Sequence, residues 1–490
     1  MLLPSSLSGN TERRWLIAFG IVCAVSVVTG LATQLYVLAG LPVVALTTFW
    51  LVADFRAVWF LLLAIIPFST EMQLPGGLST DLPDEPLMII LAGVYLLYAL
   101  ARGPTTDIRF FRHPISVLIL LSLVWVLLTT LSSSNLLVSI KWLLAKLWYL
   151  LSFYFLAGDV LRSRRQHDWM FWLVFIPLLI TVVYVLFRHW QLDFELRAIN
   201  RAVRPFYRNK VNYACLLALF TPFVWYQIHR ARRFSMRWVF LVGGLLILLL
   251  GIQYSYTRAA YGAIVAAMAT YYVVRWRLTR FVLLGSGLVV IMGILWLSSN
   301  NKYLDLAPDY NKTISHTEFD DLLTATLKGQ DISSMERVYR WVAGTQMFKA
   351  RPLTGFGPGN FYNAYRPYTI RSFRTYVSDN EEKSGIHSYF LMLLVEQGLP
   401  GLILFLILTC YTLLLGERLY HRITDPKIRV QVLSFLLSIV IIDVLLVIND
   451  MLETDKVGPF YFIALAVLVN LDIDSQKKFE QHSLSTNSNN

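Results

Sequence analysis

HSYFLMLLVEQGLPG, residues 387–401, begins an apolar run that follows the long polar segment 299–386. The run continues to residue 416, and a helix needs roughly 20 apolar residues to cross a bilayer. The change from polar to apolar sequence therefore indicates a water-exposed loop that returns to a membrane. His387 lies at this junction, and its imidazole can take or release a proton near neutral pH.

The composition also indicates an integral membrane protein. Of the 490 residues, 56% are hydrophobic and 15% are charged, whereas soluble domains are about 45–50% apolar and about 25% charged. The net charge of +12 does not require nucleic acid as a partner, because membrane proteins collect Lys and Arg in cytoplasmic loops. Cys23, Cys215 and Cys410 lie inside apolar runs, which is typical of small core residues rather than disulfides or metal ligands.

Apolar runs recur along the chain and predict an all-α polytopic membrane protein with about 12–14 transmembrane helices and one large, partly helical periplasmic loop. The third run is short enough to be a re-entrant segment. The first run lacks a signal-peptide cleavage site, so we interpret it as a retained transmembrane span. The runs are 15–33, 35–53, 57–69, 86–101, 114–131, 140–160, 168–187, 210–228, 238–254, 259–274, 281–298, 387–416, 430–448 and 457–471.

These runs divide the chain into four parts. We predict a first part of the helical bundle at 1–298, a periplasmic loop domain at 299–386, C-terminal transmembrane helices at 387–471 and a disordered cytoplasmic tail at 472–490. Basic residues cluster in every second connection, which the positive-inside rule assigns to the cytoplasm. Both termini then lie in the cytoplasm.

One predicted external connection breaks this charge rule. Residues 188–210 carry Arg188, Arg197, Arg201, Arg204, Arg208 and Lys210. An anionic ligand would compensate these charges, because planar guanidinium groups bind phosphate oxygens well. Lipid phosphates, or pairing with Asp193 and Glu195, are the alternative explanations.

Arg258 is a further outward-facing cation, between two apolar runs with almost no loop around it. Ionisable residues at membrane depth are costly and usually face the bundle interior or a wet cavity. Snorkelling of the long side chain to the surface is the alternative.

The external loop contains a helical pattern followed by a tight turn. Apolar residues at three-to-four spacing over 335–350 predict a helix, which Arg351 and Pro352 end. Gly355, Gly357 and Gly359 follow, and such a turn can bring backbone N–H groups close to a ligand.

Together these segments resemble the O-antigen ligase and polymerase family of bacterial envelope proteins. The resemblance covers roughly residues 200–415, and Arg340 directly precedes Trp341, so the sequence leaves open which of Arg337 and Arg340 has a role. The matching positions are Arg337 with Trp341, the turn 351–361, the segment 387–401, Arg258 with Gly262, and 209–214.

The resemblance implies a membrane glycosyltransferase in the bacterial cell inner membrane, without metal or other cofactor. Such an enzyme moves a glycan from undecaprenyl diphosphate to an acceptor hydroxyl at the periplasmic face. Ligases of the family use lipid A-core as the acceptor, and polymerases use a second lipid-linked glycan. We expect a ligase, with the lipid-linked donor, the acceptor and the lipid bilayer as partners, and no nucleic acid.

The same resemblance suggests roles for individual residues. His387 is expected to be the catalytic base that accepts the proton of the acceptor hydroxyl. The diphosphate is expected to bind Arg258, Arg208 and one of Arg337 or Arg340. Backside attack would invert the anomeric centre, and Gly355, Gly357 and Gly359 are expected to shape the cleft.

A transporter or flippase of lipid-linked sugar is the main alternative, because it also needs many spans and outward-facing arginines. Transporter sites usually lie at the membrane midplane between repeated halves, often on broken helices. No repeat is visible in this sequence. The helix-breaking residues at 397–401 nevertheless keep this alternative open.

Overall fold

The computed structural model describes residues 20–29, 32–33, 36–74, 78–102, 107–307, 331–375, 378–379 and 384–487. Helices dominate this part of the chain, and ten of them are long and apolar enough to cross a membrane. The predicted class, an all-α polytopic membrane protein, is confirmed.

The helices follow one another with short connections. In chain order they are α1 (Gly20–Thr29), α2 (Tyr36–Ile65), α3 (Asp84–Arg102), α4 (Ile108–Arg112), α5 (Pro114–Leu131), α6 (Leu136–Val160), α7 (Arg164–Trp190), α8 (Ile199–Ala202), α9 (Lys210–Arg230), α10 (Met236–Gln253), α11 (Arg258–Arg275), α12 (Thr279–Ser298), α13 (Ile332–Ala350), α14 (Phe361–Ala364), α15 (Tyr389–Arg422), α16 (Pro426–Val447) and α17 (Gly458–Asn487). Short 3-10 turns lie at Ile66–Phe68, Ser299–Leu306, Arg366–Tyr368 and Arg371–Phe373.

Every predicted apolar run coincides with one of these helices wherever the run is described. The second and third runs are two halves of α2, which is interrupted at Asp54. Residues 15–19 and 30–31 of the first run lie outside the described residues, as do residues 308–330 of the predicted periplasmic loop.

A short hairpin was not predicted from the sequence. Strands β1 (Thr70–Leu74) and β2 (Leu78–Leu82) pair antiparallel between α2 and α3. The strands TEMQL and LSTDL lack a regular alternation of polar and apolar residues, and five-residue strands are too short to stand out beside long apolar helices.

α16 lies at the centre of the bundle and packs against α9, α11 and α15. Its sequence is apolar on all sides, which is typical of a helix surrounded by other helices rather than by lipid on one side. Val432, Leu436 and Ile442 are accordingly inaccessible to solvent.

The two ends of the bundle differ in how their charges are used. At one end, termed the Arg164 end, basic residues from the predicted cytoplasmic connections form ion pairs with carboxylates from other helices. These pairs are Arg164 with Asp425, Arg422 with Asp472, Arg230 with Asp168, and Lys477 with Asp107. The opposite end, termed the Arg258 end, carries two charged cavities.

Residues 472–487, which we predicted to be part of a disordered tail, continue α17 without interruption to Asn487. Asp472 is buried, and its carboxylate contacts Arg422 and lies 3.3 Å from Nε2 of His113. These partners come from α15 and from the start of α5, so hydropathy along α17 itself gave no sign of them.

Candidate functional site

A cavity of about 760 Å³ opens at the Arg258 end, between the first turns of α9 and α11 and one side of α13. We term it the cationic cavity. Its charged lining consists of four basic side chains and one carboxylate, which are Arg197, Lys210, Arg258, Arg337 and Asp331. Its volume lies within the range of about 300–1,000 Å³ that is usual for small-molecule sites.

Arg258 is the first residue of α11, so its position follows from the point at which that helix begins. Its Nη2 donates to Oδ2 of Asp331 over 3.0 Å. Asp331 in turn caps α13, because the same oxygen accepts from the backbone N–H and the hydroxyl of Ser334. One carboxylate therefore fixes both the arginine and the start of the helix that covers the cavity.

The charge state of Asp331 follows from these bonds. Burial opposes ionisation, but the hydrogen bonds from Ser334 and Arg258 outweigh it and lower the pKa of Asp331. The carboxylate is thus ionised at neutral pH and compensates only one of the surrounding positive charges.

Arg337 lies on α13 and reaches the same cavity. Its Nε is buried and has no hydrogen-bond partner within the described part of the protein. Burial and the neighbouring charge of Arg258 lower the pKa of Arg337. A buried donor without a partner is costly, and an anion in the cavity would remove that cost.

Arg340, the other candidate on α13, is engaged elsewhere. Its Nη1 donates to the Gly385 carbonyl over 3.1 Å, and its Nη2 lies 3.4 Å from the Glu336 carboxylate. Glu336 also accepts from the hydroxyls of Thr375 and Ser378. Arg340 therefore holds the segment that leads into His387, and the structure places Arg337, not Arg340, in the cavity lining.

Arg208 does not join Arg258, although the sequence grouped them. Its Nε lies 3.9 Å from the Glu71 carboxylate of the hairpin, and both side chains are substantially exposed. Asn209 caps α9 immediately after it, so the chain turns there and Lys210 takes the place in the cationic cavity that was expected for Arg208.

His387 lies beside the cationic cavity rather than in its lining. Its backbone adopts a φ of 55°, and the following Ser388 is the N-cap of α15. The neighbouring Ile386 carbonyl accepts from the indole of Trp341, a residue that does line the cavity. The carboxylate of Asp450 accepts the backbone N–H of His387, which holds the strained backbone in place.

The imidazole of His387 is held in its neutral form. Burial, followed by the positive charges of Arg340 and Arg337, lowers the pKa of His387 to about 3. A neutral imidazole has one nitrogen that can accept a proton, and Arg337, which lines the cavity, contributes to keeping this base unprotonated.

The glycine turn has a different place from the one expected. Gly355, Gly357 and Gly359 all have positive φ, but none lines the cationic cavity. Their segment packs on the first turns of α15, where the Gly359 N–H donates to Glu396 over 2.8 Å and the Gly357 N–H to the Glu396 carbonyl over 2.9 Å. The N–H groups that were expected to approach a ligand thus bind the protein itself.

Asp331, Lys210 and Asp450 were not singled out as site residues from the sequence. Asp331 had a usable signal, since an Asp three residues before Ser334 at the start of a helical pattern is typical of an N-cap. Asp450 had no such signal in the sequence beyond being a polar residue between two apolar runs. Its contact with His387 joins positions far apart in the chain.

Residues 243–406 match the family model described as O-antigen ligase. The matched segment contains Arg258, Arg337 and His387, but not Lys210 or Arg208. No curated protein matches the chain. The chain is therefore an integral membrane protein with a segment, residues 243–406, that is similar to the O-antigen ligase family, which confirms the resemblance over that segment.

Proposed function

We propose that this protein is a membrane glycosyltransferase that moves a glycan from undecaprenyl diphosphate to an acceptor hydroxyl, and that the acceptor is lipid A-core. The observation that carries the proposal is the cationic cavity itself. It brings Arg258, Lys210 and Arg337 together beside a neutral histidine. A diphosphate needs such a set of cations, and an incoming hydroxyl needs such a base.

In this proposal the diphosphate binds Arg258, Arg337 and Lys210. Arg337 supplies a buried N–H, at Nε, that has no partner in the described part of the chain, and Asp331 holds Arg258 in a fixed position. Preorganised charges that stabilise a leaving anion are often the largest single contribution to catalysis. The Arg258 end of the bundle then faces the periplasm.

The transfer itself requires one proton movement and one displacement. The acceptor oxygen attacks C1 of the donor sugar from the side opposite the diphosphate, and its proton passes to His387. The bond between C1 and the phosphate oxygen breaks, and undecaprenyl diphosphate leaves with the bonding electrons. The configuration at C1 is inverted.

Donor binding would also strengthen the base. Burial, followed by the charges of Arg340 and Arg337, depresses the pKa of His387 in the free protein, and a bound diphosphate offsets the part that is due to the charges. The pKa of His387 therefore rises towards its ordinary value of about 6.5 when the donor is present. The imidazole becomes a better proton acceptor at the step that needs one.

The break in α15, which kept the transporter alternative open, is explained by local packing. Gly398 interrupts α15 with a φ of 70°, and the N–H of Leu399 donates to the Pro352 carbonyl over 2.9 Å. The break accommodates the turn that follows α13, which favours a packing role over a midplane binding site.

Reconstitution with a defined lipid-linked oligosaccharide and two competing acceptors tests the function. One acceptor is lipid A-core and the other is a second copy of the lipid-linked oligosaccharide, with products measured by mass spectrometry. We expect glycosylated lipid A-core. Chain elongation on the lipid carrier would instead identify a repeat-unit polymerase, and movement of the lipid across liposomes without a new glycosidic bond would identify a transporter.

A further inference from the structure

A second cavity, of about 600 Å³, lies at the Arg258 end between the hairpin, α3, α6 and the connection from α16 to α17. We term it the carboxylate cavity. Its lining contains six carboxylates, which are Glu71, Asp81, Asp84, Glu85, Glu453 and Asp455. None of them was part of the site predicted from the sequence.

Two buried polar atoms of this lining, Oδ1 of Asp84 and Nε1 of Trp148, have no hydrogen-bond partner within the described residues. Asp84 is 3% exposed, and its Oδ1 accepts no hydrogen bond. The buried Nε1 of Trp148 donates none. Buried polar groups in native proteins are nearly always paired, so a ligand that donates to Oδ1 of Asp84 and accepts from Nε1 of Trp148 would fit this cavity.

A buried lysine in the lining argues against an inorganic cation as the ligand of this cavity. Lys456 is 4% exposed, and its ammonium donates to the Ile66 carbonyl over 2.7 Å and to the Ser69 hydroxyl over 2.6 Å. It is thus fixed among the carboxylates, with its charge 3.6 Å from Asp455. The excess of carboxylates over basic groups disfavours an anion as well.

The cavity suits a ligand that is uncharged and rich in hydroxyl groups. Carboxylates accept from hydroxyls, and the rings of Trp148, Tyr149 and Phe206 offer apolar surface for the C–H face of a sugar. Burial and the neighbouring charge of Asp455 raise the pKa of Asp81 to about 7. At neutral pH this carboxyl is therefore able to donate as well as accept.

The two cavities are neighbours, because two short chain segments contribute residues to both. In the first segment Arg208 lines the carboxylate cavity and Lys210 lines the cationic cavity. In the second, Glu453 lines the carboxylate cavity and Asn449 lines the cationic cavity. Glu453 also accepts from the hydroxyl of Tyr389, two residues beyond His387, over 2.9 Å. A glycan positioned by one cavity can thus reach the proposed chemistry at the other.

We propose that the carboxylate cavity is a saccharide-binding site for a sugar unit without negative charge, in which Asp84 accepts from a sugar hydroxyl and the indole of Trp148 donates to a sugar oxygen. The inference rests on the proposed function in naming a sugar as the ligand. Saccharide binding is measured without turnover, so this inference and the proposed function are tested independently.

The test uses the full chain in lipid nanodiscs and two soluble probes, a neutral hexose tetrasaccharide and a hexuronate tetrasaccharide, with affinities from isothermal titration calorimetry. We expect the neutral probe to bind and the uronate to bind at least about tenfold more weakly. Asp84→Asn and Trp148→Phe should each weaken the neutral probe by about tenfold, the equivalent of about 1.4 kcal/mol.

Two further variants distinguish a loss of saccharide binding from misfolding and from a failure of the proposed function. Asp443→Asn removes a carboxyl on α16, outside the cavity, whose two buried oxygens have no hydrogen-bond partner among the residues described, and it should leave the affinity unchanged. Arg258→Ala should also keep the neutral probe while losing affinity for undecaprenyl diphosphate. The inference is overturned if neither probe binds, if the uronate binds as tightly as the neutral probe, or if Asp84→Asn and Trp148→Phe resemble Asp443→Asn.

Discussion

Arg258 and Arg337 share the cationic cavity but differ in how they are held. Arg258 is anchored by Asp331, whereas the buried Nε of Arg337 has no hydrogen-bond partner among the described residues. A guanidinium fixed by a carboxylate is preorganised, and one with an unpaired buried N–H gains a hydrogen bond when an anion binds. Both properties favour a doubly charged ligand that spans the two side chains.

Arg258→Ala is expected to weaken binding of undecaprenyl diphosphate and to lower turnover by about 10²–10³. Arg258→Lys should restore only part of each, because an ammonium lacks the planar fork of a guanidinium. The measurements are a binding titration with undecaprenyl diphosphate that carries no glycan, and turnover in the reconstituted system.

Arg208→Ala is the matched control for this experiment. The structure places Arg208 beside Glu71 outside the cationic cavity, so its removal should change diphosphate affinity little. Equal losses in Arg208→Ala and Arg258→Ala would contradict the assignment of the cavity.

His387→Asn is expected to lower turnover by about 10²–10⁴, the usual contribution of a general base. Asparagine tolerates positive φ better than most residues, so the backbone at this position should remain as it is. Diphosphate affinity should be nearly unchanged, because His387 does not line the cavity. A variant that still transfers glycan at near-native rate would remove His387 from the mechanism.

The pH dependence should differ between the free and the donor-bound protein. In the free protein the pKa of His387 is about 3, so the base stays neutral and kcat/KM should not fall with His387 protonation until the pH approaches that value. In the complex the diphosphate raises this pKa, so kcat should begin to fall at a higher pH. Initial rates from pH 4.5 to 8 should show an acid limb in kcat and none in kcat/KM, and acid limbs that coincide in this range would argue against the coupling.

At the scale of elements, the turn after α13 and the break in α15 form one interlocked unit. The N–H of Phe356 donates to the Val395 carbonyl over 3.0 Å, and the Glu396 carboxylate accepts from Phe361 over 3.0 Å. A Cβ on Gly398 would overlap the Leu353 carbonyl. This unit sets where α15 begins, and so where His387 lies relative to α13.

Gly398→Ala should therefore destabilise the protein and displace the start of α15. The positive φ alone costs a non-glycine residue about 1–2 kcal/mol, and the overlap adds to it. Gly262→Ala is the control, since a Cβ there meets no atom within 4 Å and alanine is the better helix former by about 0.5–1 kcal/mol. Thermal unfolding in detergent should show a loss for Gly398→Ala and none for Gly262→Ala.

At the scale of the whole molecule, the proposal requires the Arg258 end to face the periplasm. Single cysteines in a background without Cys23, Cys215 and Cys410 test this orientation. Ser333 and Arg233 are both exposed and lie near opposite ends of the bundle. A membrane-impermeant maleimide should label Ser333→Cys when only the outer membrane is opened, and Arg233→Cys only after the inner membrane is permeabilised. The reverse pattern would end the proposed function, because the lipid-linked donor is expected at the periplasmic face.

The helices were predictable because apolar runs of membrane-spanning length are recognisable from local composition, although ten of the described helices meet the length and hydropathy of a span and we predicted 12–14. Each run was read from local composition alone, and the segment that returns to the bilayer at 387–401 was identified in the same way. The hairpin at 70–82 and the helical continuation through 472–487 were missed, since contacts with distant segments stabilise both. Lys456, for example, donates to Ile66 and Ser69 at the base of the hairpin.

The sequence identified candidate site residues by their type, but it did not predict which of them lie together. Arginines at 258 and 337 and the histidine at 387 stood out in the sequence, yet the sequence placed Arg208 with them and the glycine turn in the cleft. Only the tertiary structure decided that Lys210 replaces Arg208, that Arg340 holds the segment before His387, and that Glu396 binds the turn. Composition and periodicity record what each short segment prefers, whereas cavities and ion pairs arise from segments hundreds of residues apart that the helices bring to one end of the bundle.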